Sequence, residues 1–227
     1  MKDKTIQKVA AILPAYNEEA TISNVLKILQ KSPELDEVIV VDDGSADKTA
    51  EVAKAYGVKV IKLLQNKGKG NALRIGLKNT KAEIVVFFDA DLVGLTPEHV
   101  SQLVKPVLEN KVVMTIGLRE RWGNLPTIMI KIDPLLAIGG ERALRRFVFE
   151  NISPKFTEKF TMETALNFYC KINKLSVQYV KLKKLNIITK EKKWGLKKGF
   201  LNRLKMYLQL LKIRILILKH KKEFICK

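Results

Sequence analysis

Five carboxylates in the N-terminal half sit in short polar stretches, each directly after an apolar run. Glu18 ends Pro14-Ala15-Tyr16-Asn17-Glu18, Asp42 and Asp43 open Asp42-Asp43-Gly44-Ser45, and Asp89 and Asp91 flank an alanine in Asp89-Ala90-Asp91. Brought to one rim, such a cluster repels itself unless a metal ion or a hydrogen-bonding ligand joins it. Alternate residues of an extended segment share a face, so Asp89 and Asp91 can turn toward one cation while Ala90 turns away. Hard ions such as Mg²⁺ or Mn²⁺ suit carboxylate and phosphate oxygens. Between these stretches lies Asn66-Lys67-Gly68-Lys69-Gly70. Its glycines let backbone amides approach a ligand, and a lysine at a helix start can neutralise phosphate charge. The spacing is not that of a P-loop. Two bland readings stand beside these: a turn with a helix cap for residues 42–45, and a solvated loop for residues 66–70.

The elements that would position these groups alternate in type. Short Val/Ile-rich runs at Val9 to Leu13, Val38 to Val41, Val58 to Leu63, Ile84 to Phe88 and Val112 to Ile116 read as strands. Helical patterns fill the gaps at Glu18 to Gln30, Asp47 to Tyr56, Gly70 to Asn79 and Pro97 to Glu109. Asn17 and Thr96-Pro97 are the helix start signals. Apolar residues on both alternating sets of strand positions predict an α/β fold with a mostly parallel sheet covered on two faces. Ligands of such sheets gather outside the carboxyl ends of the strands, which is where every polar stretch above falls.

With 227 residues, 47% of them hydrophobic, the chain can bury one large α/β domain and a short appendage. A net charge of +19 favours anionic partners without choosing among nucleotides, phosphorylated substrates, acidic lipids and nucleic acid. Cys170 and Cys226 form no paired motif, which argues against a disulfide framework or zinc site and fits a reducing cytosol. No signal-peptide pattern is read at the N-terminus, and no run approaches the roughly 18 apolar residues of a membrane span.

Taken together, Pro14-Ala15-Tyr16-Asn17-Glu18-Glu19, Val40-Val41-Asp42-Asp43-Gly44-Ser45, Asn66-Lys67-Gly68-Lys69-Gly70-Asn71-Ala72 and Asp89-Ala90-Asp91 resemble, in order and spacing, the motifs of family 2 glycosyltransferases of GT-A fold. Dolichol-phosphate mannose synthases and glucosyl-phosphoglycerate synthases are of this kind. The resemblance is close from Val9 to Leu92 and looser through Glu163. It implies that Pro14, Tyr16 and Glu18 line a nucleotide pocket, that Asp43 or Asp42 reads the base or ribose, and that Lys69 lines the donor pocket. It further implies that Asp89 and Asp91 form a D-x-D motif holding Mg²⁺ or Mn²⁺ against the diphosphate of a UDP- or GDP-sugar, Asp91 being the catalytic member.

For the second half the resemblance is to an S-G-x-R-A-x-R type segment, here Ile138-Gly139-Gly140-Glu141-Arg142-Ala143-Leu144-Arg145. It places Gly139, Gly140, Glu141 and Arg142 at the acceptor and Arg119 with the donor. The two glycines would admit a sugar close to the backbone, or else form a helix N-terminal turn. Arg119, Arg121, Arg142 and Arg145 could grip an acceptor phosphate. Glu163 stands where relatives carry an acidic residue at a helix start and is the candidate general base; the alternative is a first-turn glutamate favoured by the helix dipole. Relatives often add a histidine metal ligand downstream, whereas His99 and His220 read as solvated surface residues.

From Lys190 onward the composition shifts. Lysines and arginines alternate with Trp194, Phe200, Leu201, Leu204, Tyr207, Leu208 and Leu211 at three- and four-residue steps, giving one apolar and one basic helix face. Such a helix lies in an anionic membrane interface, or packs on the domain or in a homodimer. The expected organisation is therefore a glycosyltransferase domain over 1–189 (donor half about 8–117, acceptor half about 118–189) and a basic amphipathic tail over 190–227. The expected setting is the cytoplasmic face of the inner membrane, with a lipid or phosphorylated acceptor. A sugar-phosphate nucleotidyltransferase is the competing class, but its glycine-rich, lysine-bearing signature after the first strand is missing. A nucleic-acid-binding module is suggested by charge alone, and the carboxylate rim argues against it.

Overall fold

The computed structural model describes residues 7–119, 139–156, 162–187, 215–216 and 219–225. Nine strands and six α-helices follow one another among these residues as β1 (Val9–Ala15), α1 (Ile22–Leu29), β2 (Glu37–Asp42), α2 (Thr49–Lys54), β3 (Lys59–Lys62), α3 (Lys69–Lys78), β4 (Ile84–Phe87), β5 (Leu92–Val93), α4 (Pro97–Leu108), β6 (Met114–Arg119), β7 (Arg142–Arg145), α5 (Arg146–Glu150), α6 (Met162–Ile172), β8 (Val177–Leu182) and β9 (Asn186–Ile187). Seven of the strands form one sheet in the order β3-β2-β1-β4-β7-β6-β8. Pairing is parallel except where β7 runs against β4 and β6.

The side-chain period of two in β1 divides the core. Ile12 joins a cluster with Leu73 and Leu77 of α3 and Leu166 of α6, whereas Ala11 and Leu13 join one with Val25 and Leu26 of α1 and Val104 of α4. Both faces are thereby covered, as continuous Val/Ile runs require. In α1 the buried residues Ile22, Val25, Leu26 and Leu29 recur at helical spacing and form one stripe. Thr96 caps α4 by accepting from the His99 amide, with Pro97 in the first turn.

Several local expectations are corrected. Asn17 does not cap the first helix: it takes a left-handed conformation (φ 56) and its Oδ1 accepts from the Ala46 amide, so a turn intervenes and α1 starts at Ile22. The fifth strand lies two residues later than its apolar run, at Met114–Arg119. The alternative reading of Gly139-Gly140 as a helix N-terminal turn fails, because the segment leads into β7. Arg-Ala-Leu-Arg is a helix-forming composition, and hydrogen bonding to a strand on each side overrides it. His99 is buried rather than solvated, and its Nδ1 has no hydrogen-bond partner.

The amphipathic pattern from Lys190 to Arg214 lies outside the described residues. Further on, a short 3-10 helix, Lys221–Phe224, is pinned to the domain. The Phe224 ring packs against Phe156 and Phe168, with centroids 4.7 and 5.2 Å apart, and Asn173 Nδ2 donates to the Phe224 carbonyl at 2.6 Å. Among the described residues no helix is long and apolar enough to cross a membrane.

Candidate active site

The first wall of the site is made by loops leaving β1, β2 and β3 at their carboxyl ends. Asp43 donates its amide to the Ala15 carbonyl at 2.8 Å, and its carboxylate accepts from the Lys67 and Gly68 amides at 2.9 and 2.7 Å. One aspartate thus fixes both the loop after β1 and the loop before α3. Gly44 makes that possible: it sits at φ +77, and a Cβ there would lie 2.7 Å from the Gln65 carbonyl carbon. Asp42 is fully buried and caps the turn through Oδ1, 2.9 Å from the Ser45 amide. The two residues expected to read a base or ribose therefore have buried side chains, with both Asp43 oxygens engaged by backbone. Beside them Pro14 and Glu18 are half-buried and Tyr16 is exposed. Glu18 accepts from Thr21 Oγ1 at 2.7 Å, and its amide donates to Thr49 Oγ1.

The second wall gathers residues from distant parts of the chain. Lys69, the first residue of α3, places Nζ 2.5 Å from Asp89 Oδ1 and 3.5 Å from Glu163 Oε1. Glu163 lies in the first turn of α6 and is almost fully buried. Arg119, at the end of β6, pairs its Nε with Glu141 Oε2 at 3.4 Å. Arg142 is entirely buried; its guanidinium donates to the Gly139 carbonyl, at 2.5 Å from Nη2, and to Asn167 Oδ1 at 3.3 Å. Asn167 was not singled out from sequence, though its signal was there: it follows Glu163 by one helical turn, a polar residue between buried Leu166 and Phe168.

Glycines 139 and 140 do allow a close approach, but to protein. A Cβ on Gly139 would fall 2.3 Å from the Gly117 carbonyl oxygen. One on Gly140 would fall 2.7 Å from Asp89 Oδ2 and 2.9 Å from Lys69 Nζ. The segment lies directly against the Lys69–Asp89 ion pair. Of the arginines expected to grip a phosphate, Arg145 turns away, its Nη2 donating to the Val107 carbonyl. Arg121 lies outside the described residues.

Burial works against every charge here, and the neighbours decide the outcome. Desolvation pulls the Lys69 ammonium down, yet Asp89 and Glu163 outweigh it and hold the group above its usual value. Burial pushes the Asp89 carboxyl up, but Lys69, Arg119 and Arg142 bring it below its usual value. For Glu141, burial and the Asp89 charge prevail over Arg119 and Lys69, and its carboxyl is pushed up to about 7.

Asp89 and Asp91 are half-buried on either side of a buried Ala90, but β4 ends at Phe87 and Ala90-Asp91 form a turn before β5, not the extended segment expected. These hard oxygen donors fit Mg²⁺ or Mn²⁺. Among the described residues no group of three or more His, Cys, Asp or Glu converges as a metal site, so a bound ion would complete its shell with substrate oxygens and water. His99 and His220 do not supply a ligand: the first is buried in α4, and Nδ1 of the second lies 2.7 Å from Glu223.

The pattern of the family described as glycosyl transferase family 2 matches residues 10–175 of this chain. The chain belongs to glycosyl transferase family 2. It is 37% identical over 122 residues to glucosyl-3-phosphoglycerate synthase of Mycobacterium tuberculosis, a match covering 50% of this chain and 38% of the relative. It is 38% identical over 105 residues to human dolichyl-phosphate beta-glucosyltransferase, covering 39% and 32%. These alignments span less than two fifths of each relative's length. A crystal structure of the mycobacterial synthase with Mn²⁺, UDP-glucose and phosphoglyceric acid superimposes with a TM-score of 0.69 at 28% identity, covering 81% of this chain and 72% of that one. Another holds Mg²⁺ and UDP. The fold of this family 2 chain is GT-A, with its carboxylates at the strand ends where sequence reasoning put them.

Proposed function

We propose that this chain transfers a sugar from a nucleotide-sugar donor, a UDP- or GDP-sugar, to a phosphorylated or lipid-phosphate acceptor. The observation that carries this reading is the convergence of Lys69, Asp89 and Glu163 beside a loop pinned by Asp43, at the start of α3. A helix N-terminus that carries a lysine as its first residue is suited to a diphosphate. The half-buried Asp89 carboxylate can accept from a donor-sugar hydroxyl, and exposed Tyr16 with half-buried Pro14 and Glu18 would line the nucleotide pocket. Asp89 and Asp91 would hold Mg²⁺ or Mn²⁺, which supplies electrostatic stabilisation of the departing nucleoside diphosphate. Glu163 takes the proton from a hydroxyl acceptor; an ionised phosphate acceptor needs no base. Glycines 139 and 140, Glu141 and Arg142 shape the floor between the donor half, about 8–117, and the acceptor half, about 118–189. The tail over 190–227 is proposed to hold the protein on an anionic, cytoplasmic membrane face.

A thermal-shift series with UDP, GDP and their sugars, with and without Mn²⁺, tests the donor reading, because a ligand binding only the folded state raises the melting temperature. Stabilisation by one nucleotide family, enhanced by Mn²⁺, is expected. Asp91→Asn should keep the fold and lose about a hundredfold or more in turnover. No shift with any nucleotide would sink the proposal.

A further inference from the structure

Lys69 is shared between two carboxylates that the reaction needs for different tasks. Its Nζ contacts Asp89 at 2.5 Å and Glu163 at 3.5 Å, and those carboxylates come from the end of β4 and the start of α6. The lysine therefore ties together the two parts of the chain assigned above to donor and acceptor. Its side chain is only 29% exposed, and a Cβ on Gly140 would have to displace one end of the ion pair. Lys69 is itself the first residue of α3. That is also where the loop amides of residues 67 and 68 are held by Asp43.

We propose that Lys69 is an exchangeable counter-ion: it neutralises Glu163 in the nucleotide-free protein and passes to the donor diphosphate on binding, so that donor arrival releases Glu163 for the acceptor. This rests on the donor reading above and deepens it, making Lys69 a positioning residue for Glu163. The physical requirement is ordinary competition. One ammonium has three donors but cannot approach a diphosphate and keep full contact with both carboxylates. Asp89, at the shorter distance, retains it more readily than Glu163. A lysine ammonium is a cation at neutral pH, so it meets the diphosphate with opposite charge.

The exchange has a consequence of definite sign. If Glu163 competes with the diphosphate for Lys69, removing its charge must tighten nucleotide binding, and must do so only while Lys69 is present. A double-mutant cycle separates this from simple repulsion between Glu163 and the diphosphate. Dissociation constants for UDP and for GDP, in Mg²⁺ buffer, would be measured by calorimetry on the full chain and on Glu163→Gln, Lys69→Met and the double variant, each checked for folding by its melting curve. We expect Glu163→Gln to bind the preferred nucleotide about three- to tenfold more tightly than the wild type. In the Lys69→Met background the same change should alter affinity by less than about twofold. Should Lys69→Met fail to fold because Asp89 loses its counter-charge, Lys69→Met/Asp89→Asn provides the background. Unchanged or weakened binding in Glu163→Gln overturns the exchange, and so does equal tightening in both backgrounds. If the folded wild type binds neither nucleotide, the donor reading itself fails; binding without coupling overturns only the exchange.

Discussion

Asp89, Glu141 and Glu163 are packed among Lys69, Arg119 and Arg142, a locally balanced set inside a chain of net charge +19. Balance does not make the members equivalent. Asp89 keeps a lysine at contact distance, whereas Glu141 faces Arg119 at 3.4 Å and both its oxygens are buried without a hydrogen bond. Its carboxyl, pushed up to about 7 from 4.5, binds a proton more tightly in the folded chain than in the unfolded one. The stability this contributes is fully present below pH 4.5 and is lost as pH rises through about 7. Glu141→Gln stays neutral throughout and should flatten that slope. Between about pH 5 and about pH 8, urea unfolding should show the wild type losing about 2–3 kcal/mol more than the variant. Equal losses would mean that Glu141 ionises in the fold as it does in water. Residue types told part of this in advance. Asp89, Lys69 and Glu163 could be named because their motifs are local, but nothing in Glu141-Arg142 announces that both side chains are buried, since that follows from β7 being an interior strand.

Among the elements, the strands of the first half were legible because they are short Val/Ile runs ended by polar turns, and α4 because Thr96 and Pro97 mark its start. β7 was not, since its four residues are good helix formers and only its two neighbours make it a strand. The start of α1 was misplaced for a related reason: Asn17 serves a contact 29 residues away instead of its own helix. Such cross-loop contacts also decide what the site tolerates. Gly44 combines a left-handed φ with backbone atoms of Gln65 and Asn66 where a Cβ would stand, so Gly44→Ala must both strain the turn and push the loop after β3 outward. The displaced loop carries the Lys67 and Gly68 amides that Asp43 holds. Gly44→Ala is therefore expected to cost about 2–3 kcal/mol in urea unfolding and to weaken nucleotide binding, whereas Gly57→Ala, with φ +65 but open space around it, should cost about 1 kcal/mol and leave binding intact. Identical losses at the two positions would remove the loop contact from the explanation.

For the whole molecule the question is what the excess positive charge faces. The described C-terminal end is tied to the domain by Phe224 between Phe156 and Phe168 and by Lys155 Nζ at 2.7 Å from Glu223. Upstream, β9 ties the chain to β5, immediately after Asp91, through Leu92 and Ile187. The basic stretch therefore lies between one anchor beside Asp91 and one on the Phe156–Phe168 side of the domain. Each Lys or Arg close to an anionic leaflet contributes about 1 kcal/mol, and an apolar face adds to it, so the full chain should co-sediment with phosphatidylserine-containing vesicles and release in high salt. Reversing Lys197, Lys198, Arg203 and Lys205 to glutamate should abolish pelleting while nucleotide-induced thermal stabilisation persists, because the donor residues lie upstream of Glu163 in the sequence. Packing of the apolar residues of this stretch on the domain, or in a dimer, makes the opposite forecast. The wild type would then stay in the supernatant at low salt, and the reversals would lower its melting temperature or the mass read by light scattering. Pelleting with anionic but not with neutral vesicles, together with an unchanged melting temperature in the reversed variant, is the outcome that assigns the charge to a membrane surface.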